Sequence, residues 1–141
     1  MTFKTFLGVF AMVALGDGVV AILAPMPFVN LIWAGRGGPE AALFVQGWGA
    51  CLLALSVVAW TGRRLSHAAS RQWLALGLLT YHLIVSAVWF ADGQTHGWTP
   101  LSALTLVALL LFALGFGYFR FAGADHTLAG RFSPTPSPPV S

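Results

Sequence analysis

Residues 99–119 read TPLSALTLVALLLFALGFGYF, an uncharged run opened by a threonine and a proline. It matches the ~20 residues that a helix needs to cross ~30 Å of hydrocarbon. It is apolar on all sides, so it lacks the alternation that a membrane β-strand would show. Thr99 is placed to cap the helix, and Pro100 to fill its first turn. Two more stretches are equally bare of charge, one between Glu40 and Arg63 and one between Arg71 and Asp92. A fourth, near the N-terminus, holds one acid, Asp17. The pattern predicts an all-α protein, an antiparallel four-helix transmembrane bundle over residues 1–121, with helices at about 5–24, 41–60, 72–91 and 99–119.

Composition supports the same solvent. The hydrophobic fraction is 57% and the charged fraction 8%, against roughly 25% charged residues in soluble domains. A water-soluble chain this short has too small a core to hide that much apolar surface. In lipid the apolar faces need no burial, but every backbone amide needs a partner, and helices supply it. The one cysteine, Cys51, allows no internal disulfide and reads as a small packing residue. The net charge of +3 does not indicate nucleic acid, because the arginines sit at span edges and not on a soluble face.

Local signals mark the ends. Gly38-Pro39-Glu40 reads as a helix start, and Pro25 and Pro27 as a stop for the first helix. Trp33, Trp60, Trp73, Trp89 and Trp98 cluster near span ends, the level where an indole meets both hydrocarbon and water. Trp48 lies deeper and reads as a packing residue. With the N-terminus in the cytoplasm, Lys4, Arg63, Arg64, Arg71, Arg120 and Arg131 fall inside and only Arg36 outside. The positive-inside bias therefore places both termini in the cytoplasm of a bacterial inner membrane. The loops at 26–38 and 92–98 are then external, and the loop at 61–71 internal. A cleaved signal peptide is the rival reading of the first span. Asp17 interrupts its apolar region and Pro25 would follow the cut, which favours a retained helix. Residues 122–141 read as a disordered Pro/Ser-rich cytoplasmic tail.

Two polar residues stand at membrane depth. Asp17 lies in Gly16-Asp17-Gly18, and an acid there is costly unless protonated, paired or wet. The flanking glycines permit close approach of another helix. His82 follows Tyr81 near the middle of the third span, with Ser86 one turn on. Asp17 and His82 fall at similar depth and form a candidate intramembrane pair. The bland alternatives are a solvated acid and a histidine that only hydrogen-bonds inside the bundle. A second candidate is an outer cleft of Arg36, Glu40, Gln46, Asp92 and His96 around the apolar segment 26–33. That segment reads as a capping loop, or as a stretch lying flat in the interface. Arg63-Arg64 reads as a topology signal in contact with anionic lipid, and not as a ligand site. Small residues at Ala14/Gly18, Gly47/Cys51 and Ala50/Ala54 have the spacing that lets helices approach.

No catalytic residues and no metal site are expected. His67, His96 and His126 lie outside the spans, so His82 lacks a second haem ligand at its depth, and no histidine or cysteine pair has zinc spacing. There is no phosphate loop, nucleophile elbow or CxxC. No cofactor is expected. The leading expectation is a non-enzymatic membrane protein that packs with lipid, a hydrophobic ligand, a second copy or a partner membrane subunit. The alternative is a small proton-coupled carrier or redox-complex subunit using Asp17 and His82.

Ala24-Pro25 at the end of the first helix, Gly47-Trp48-Gly49-Ala50 in the second and Tyr81-His82 after Arg71 carry a resemblance. Over residues 5–121 the chain resembles small four-helix bacterial inner-membrane proteins of DoxX-like topology. The resemblance implies the bundle and its location and transfers no catalytic residue. That group includes subunits tied to quinone-linked redox chemistry, and no cofactor-binding residues here support carrying it over.

Overall fold

The computed structural model describes residues 1–34 and 37–129. Five helices follow one another: α1 (Phe3–Leu23), α2 (Pro25–Trp33), α3 (Pro39–Gly62), α4 (Ala68–His96) and α5 (Pro100–Ala129). No strand occurs among the described residues. Four of the helices, α1, α3, α4 and α5 as far as Phe121, are long and apolar enough to cross a membrane. Only 22–33% of the residues in each span are buried inside the protein. Leu23, Leu43, Leu83, Ile84, Leu104 and Leu114 are among the large apolar side chains left on the outside. In water such a surface would aggregate, whereas in lipid it is solvated. The architecture is an all-α four-helix bundle of a multi-pass membrane protein.

The helix ends follow local chemistry. The Thr2 side chain accepts from the Thr5 amide at 3.2 Å and caps α1. At α5 the Ser102 amide donates to Thr99 Oγ1 at 3.1 Å and the Thr99 amide donates to Ser102 Oγ at 2.8 Å, a reciprocal cap. Gly97 closes α4 at φ 84°, a conformation that favours glycine. α2 closes on Ala34 at φ 52°, where a side chain costs roughly 1–2 kcal/mol.

Three expectations differ from the structure. The apolar segment after Pro25 is a helix and not a loop. Pro25 stops α1 but also fits the first turn of α2, where its missing amide hydrogen is no loss. α4 begins before residue 72 and ends beyond 91, because nothing in its polar flanks breaks the helix before Gly97. α5 continues to Ala129, so residues 122–129 of the expected tail are helical and the rest of the tail lies outside the described residues.

The bundle is two antiparallel hairpins. In α1 the buried positions are Leu7, Ala11, Ala14, Gly18 and Ala21, with Phe10 beside them. In α3 they are Val45, Gly49, Leu52, Ser56 and Ala59, with Gly62 at the end of the helix. Both series step by four and three in turn, the spacing of helices crossing at about 20°. Their backbones touch at Gly18 and Gly49, where an added Cβ on either would lie 2.9 Å from the other's carbonyl oxygen. Of the small-residue spacings, Ala14/Gly18 lies in this seam, while Gly47, Ala50, Cys51 and Ala54 of α3 are exposed on other faces. The second hairpin pairs α4 with α5, through Ala75, Leu78, His82, Ser86 and Trp89 of α4.

The hairpins are joined at both ends. Phe6 and Phe10 of α1 meet Phe112 and Phe116 of α5 with ring centroids 4.9–5.9 Å apart. Gly115 leaves room for the Phe6 ring. At the opposite end α2 acts as a strap. Thr99 Oγ1 donates to the Ile32 carbonyl at 2.8 Å, and Trp33 Nε1 donates to Asp92 Oδ2 at 2.8 Å. Val29 and Ile32 of α2 are fully buried beneath it.

Candidate functional site: an intramembrane polar cavity

Asp17 and His82 each lie fourteen residues from the first residue of their helix, about 21 Å along the axis at 1.5 Å per residue. Both line one cavity between the hairpins, with Trp48 of α3, Tyr81 of α4 and Thr105 of α5. Its room for water-sized groups is about 60 Å³, enough for about four to six such groups at ~10–15 Å³ each. Phe10, Leu52, Leu109 and Phe112 complete the wall.

The polar groups differ in what they bond. His82 is 2% exposed, and its Nδ1 stands 2.7 Å from the Leu78 carbonyl. A carbonyl oxygen only accepts, so Nδ1 carries the hydrogen, and a neutral ring offers Nε2 as an acceptor. Phe10, Tyr81, Phe112 and Phe116 surround the imidazole with centroids 5.1–5.8 Å away. Thr105 Oγ1 donates to the Leu101 carbonyl at 2.9 Å. Asp17 is exposed at the rim and has no hydrogen bond to any described residue. It does not bond His82: the two share a cavity and not a contact. Trp48 Nε1 and the Tyr81 hydroxyl are buried and lie close enough to interact with each other, but neither makes a hydrogen bond of good geometry among the described residues. Ser86 Oγ, one turn beyond His82, is a third buried atom without a hydrogen bond among them.

Aromatic rings close the cavity along the membrane normal. Towards α2, Trp48 packs on Phe28 at 5.7 Å and on Trp89 at 5.6 Å, and Trp89 on Trp33 at 6.1 Å. Towards the arginines, Phe10, Phe112 and Phe116 pack edge to face. The side is less closed, because the long helices of the two hairpins approach each other at few positions. Val13 and Asp17 stand there on the α1 rim and are both exposed.

The expected outer cleft is assembled in part. Asp92 and His96 line a shallow depression of about 180 Å³ with Trp33, Gly37 and Ala41. His96 Nδ1 lies 2.9 Å from Asp92 Oδ1, an i,i+4 pair on α4. Glu40 is exposed and stands apart. Gln46 turns to the other hairpin partner, its Nε2 donating to the Ile22 carbonyl at 3.4 Å. Arg36 lies outside the described residues. No group of three metal-capable side chains converges among the described residues.

Trp48, read from the sequence as a packing residue, and Tyr81, read only as the neighbour of His82, both line the cavity. Their signal was depth: an indole or phenol in mid-span needs a partner for its N–H or O–H. No family model, no curated protein and no solved structure matches the chain.

Proposed function

We propose that the protein is a non-enzymatic protein of a bacterial cytoplasmic membrane, with both termini cytoplasmic, that holds the polar end of an amphiphilic ligand in the cavity between its hairpins. The carrying observation is a buried polar pair, Trp48 Nε1 and Tyr81 Oη, which interact with each other but make no hydrogen bond of good geometry, at the wall that His82 and Asp17 also line. A buried donor without an acceptor costs about 1–3 kcal/mol, which a ligand's carbonyl, ether or hydroxyl oxygen relieves. His82 Nε2 can accept from a ligand hydroxyl. Asp17 at the rim can accept a second hydrogen bond. The free space takes a small polar head and not a whole lipid. Aromatic plugs at both ends favour access from the bilayer, between α1 and α5, with the apolar tail left in lipid. DoxX-like topology, a second copy and a partner membrane subunit are compatible with this reading.

A second reading keeps the proton-coupled carrier. Asp17 and His82 border space enough for a short run of waters, which could pass a proton between them. The same plugs count against it, since a carrier needs the site open alternately to each side.

The deciding experiment is mass spectrometry of the organic extract of the purified protein. The ligand reading expects a lipophilic, oxygen-bearing compound that Tyr81→Phe and Trp48→Phe each deplete several-fold. An identical extract from all three proteins would sink it. Proton flux into proteoliposomes that vanishes in both Asp17→Asn and His82→Gln would establish the carrier instead.

A further inference from the structure

Where the start of α1 meets the end of α3, three cations come together with no acid among the described side chains beside them. Lys4, Arg63 and Arg64 line one open pocket of about 280 Å³ beside Trp60. The Arg63 guanidinium is folded back over the Trp60 ring, 4.5 Å from its centroid. It also reaches α1 at Gly8, where an added Cβ would lie 3.3 Å from Cζ. Arg63 Nε is buried there and has no hydrogen-bond partner among the described residues. The arginine is thus fixed in place by a ring and a glycine, and not by a carboxylate. The acids whose side chains are described are Asp17, Glu40 and Asp92. Glu40 and Asp92 are at the far end of the spans, and Asp17 is about 20 Å along α1 from Lys4 at 1.5 Å per residue. Arg71 differs: it lines a separate pocket with Phe3, Gln72 and Phe119 and has no second cation in it.

We infer that the Lys4–Arg63–Arg64 pocket binds the phosphate of an anionic phospholipid. A planar guanidinium whose terminal nitrogens are not buried and make no hydrogen bond suits a phosphate oxygen, and a lysine adds charge without geometry. Three cations with no described acid beside them favour a bound anion. Trp60 places the pocket where an apolar ring meets headgroups, so a headgroup is the anion at hand. This site is remote from the mid-membrane cavity and independent of its ligand.

Native mass spectrometry of the detergent-solubilised protein, titrated with dioleoyl phosphatidylglycerol or dioleoyl phosphatidylcholine, tests the site. The full-length protein is expected to retain phosphatidylglycerol selectively. Arg63→Gln and Lys4→Gln should each weaken that retention about fivefold, the share of one basic residue near an anionic surface, while Arg71→Gln should leave it within about twofold. Lys4 is exposed, so its variant keeps the test available if Arg63→Gln fails to fold. Equal weakening by Arg71→Gln would reduce the effect to a diffuse field and overturn the site. Equal retention of both lipids would also overturn it. So would uptake of inorganic phosphate by lipid-free protein with the same dependence on Arg63 and no preference for phosphatidylglycerol, which would assign the pocket to a free anion.

Discussion

Gly18 of α1 and Gly49 of α3 lie back to back, each occupying the place where the other's Cβ would be. A Cβ at Gly18 would sit 2.9 Å from the Gly49 carbonyl oxygen and 3.0 Å from the Leu53 side chain. A Cβ at Gly49 would sit 2.9 Å from both the Gly18 oxygen and the Ala21 methyl. Backbone cannot move aside as a side chain can, so the hairpin must open to admit either methyl. Gly18→Ala and Gly49→Ala are each expected to cost about 1–3 kcal/mol. Gly16→Ala and Gly47→Ala meet nothing within 4 Å and should gain up to about 1 kcal/mol from helix propensity. Thermal unfolding in detergent separates the two pairs. Equal stability of all four variants would show that α1 and α3 do not cross at these glycines.

Lipid explains why the spans were legible and the seam was not. Each span is apolar all round, so the residues facing protein and those facing lipid carry the same kind of side chain. Charge-free length and the Thr99-Pro100 and Pro39-Glu40 starts placed the helices. No polar face then said which stripe of α3 turns to α1, and Gly47/Cys51 read as well as Gly49/Leu52. α2 was hidden for a different reason. Its nine residues are too few to span and too apolar to read as a surface helix, and only its hydrogen bonds to Thr99 and Asp92 reveal it as a strap. Asp17 and His82 stood out because a polar side chain is rare at that depth. Trp48 and Tyr81 did not, since aromatic residues are common in spans and their unmet hydrogen bonds show only in three dimensions.

Asp92 holds α2 to α4 and should be measurable as such. Its Oδ2 accepts from Trp33 Nε1 and its Oδ1 faces His96 Nδ1. Asp92→Ala is expected to cost about 1–2 kcal/mol and to raise hydrogen exchange in Pro25–Trp33 above all other segments. Trp33→Phe should do the same, and the double variant should fall short of the sum, because both changes break one bond. Unchanged exchange in α2 would mean that the strap is held by Val29 and Ile32 packing alone.

The proposed orientation rests on the basic residues and can be tested with single cysteines. In a Cys51→Ser background, Ser66→Cys lies between α3 and α4, at the end that carries Arg63, Arg64 and Arg71. A membrane-impermeant maleimide should leave it unlabelled in intact cells and label it after permeabilisation. Thr95→Cys, at the α2 end, should label in intact cells. The reverse pattern would invert the topology.

Tyr81→Phe offers a test whose sign depends on occupancy. The Tyr81 hydroxyl is buried beside Trp48 and makes no hydrogen bond of good geometry among the described residues. Removing an unsatisfied buried group from the empty protein should leave stability unchanged or raise it by about 1 kcal/mol, whereas a partnered hydroxyl would lose about as much. Trp48→Phe should follow the same rule with a further loss from the smaller ring. Unfolding is therefore compared before and after exhaustive delipidation. The cavity-ligand reading expects the phenylalanine variant to be the less stable protein as purified and the equal or more stable one once stripped. A deficit that survives stripping unchanged would mean that the hydroxyl is bonded within the chain, and the cavity would lose its strongest claim to a ligand.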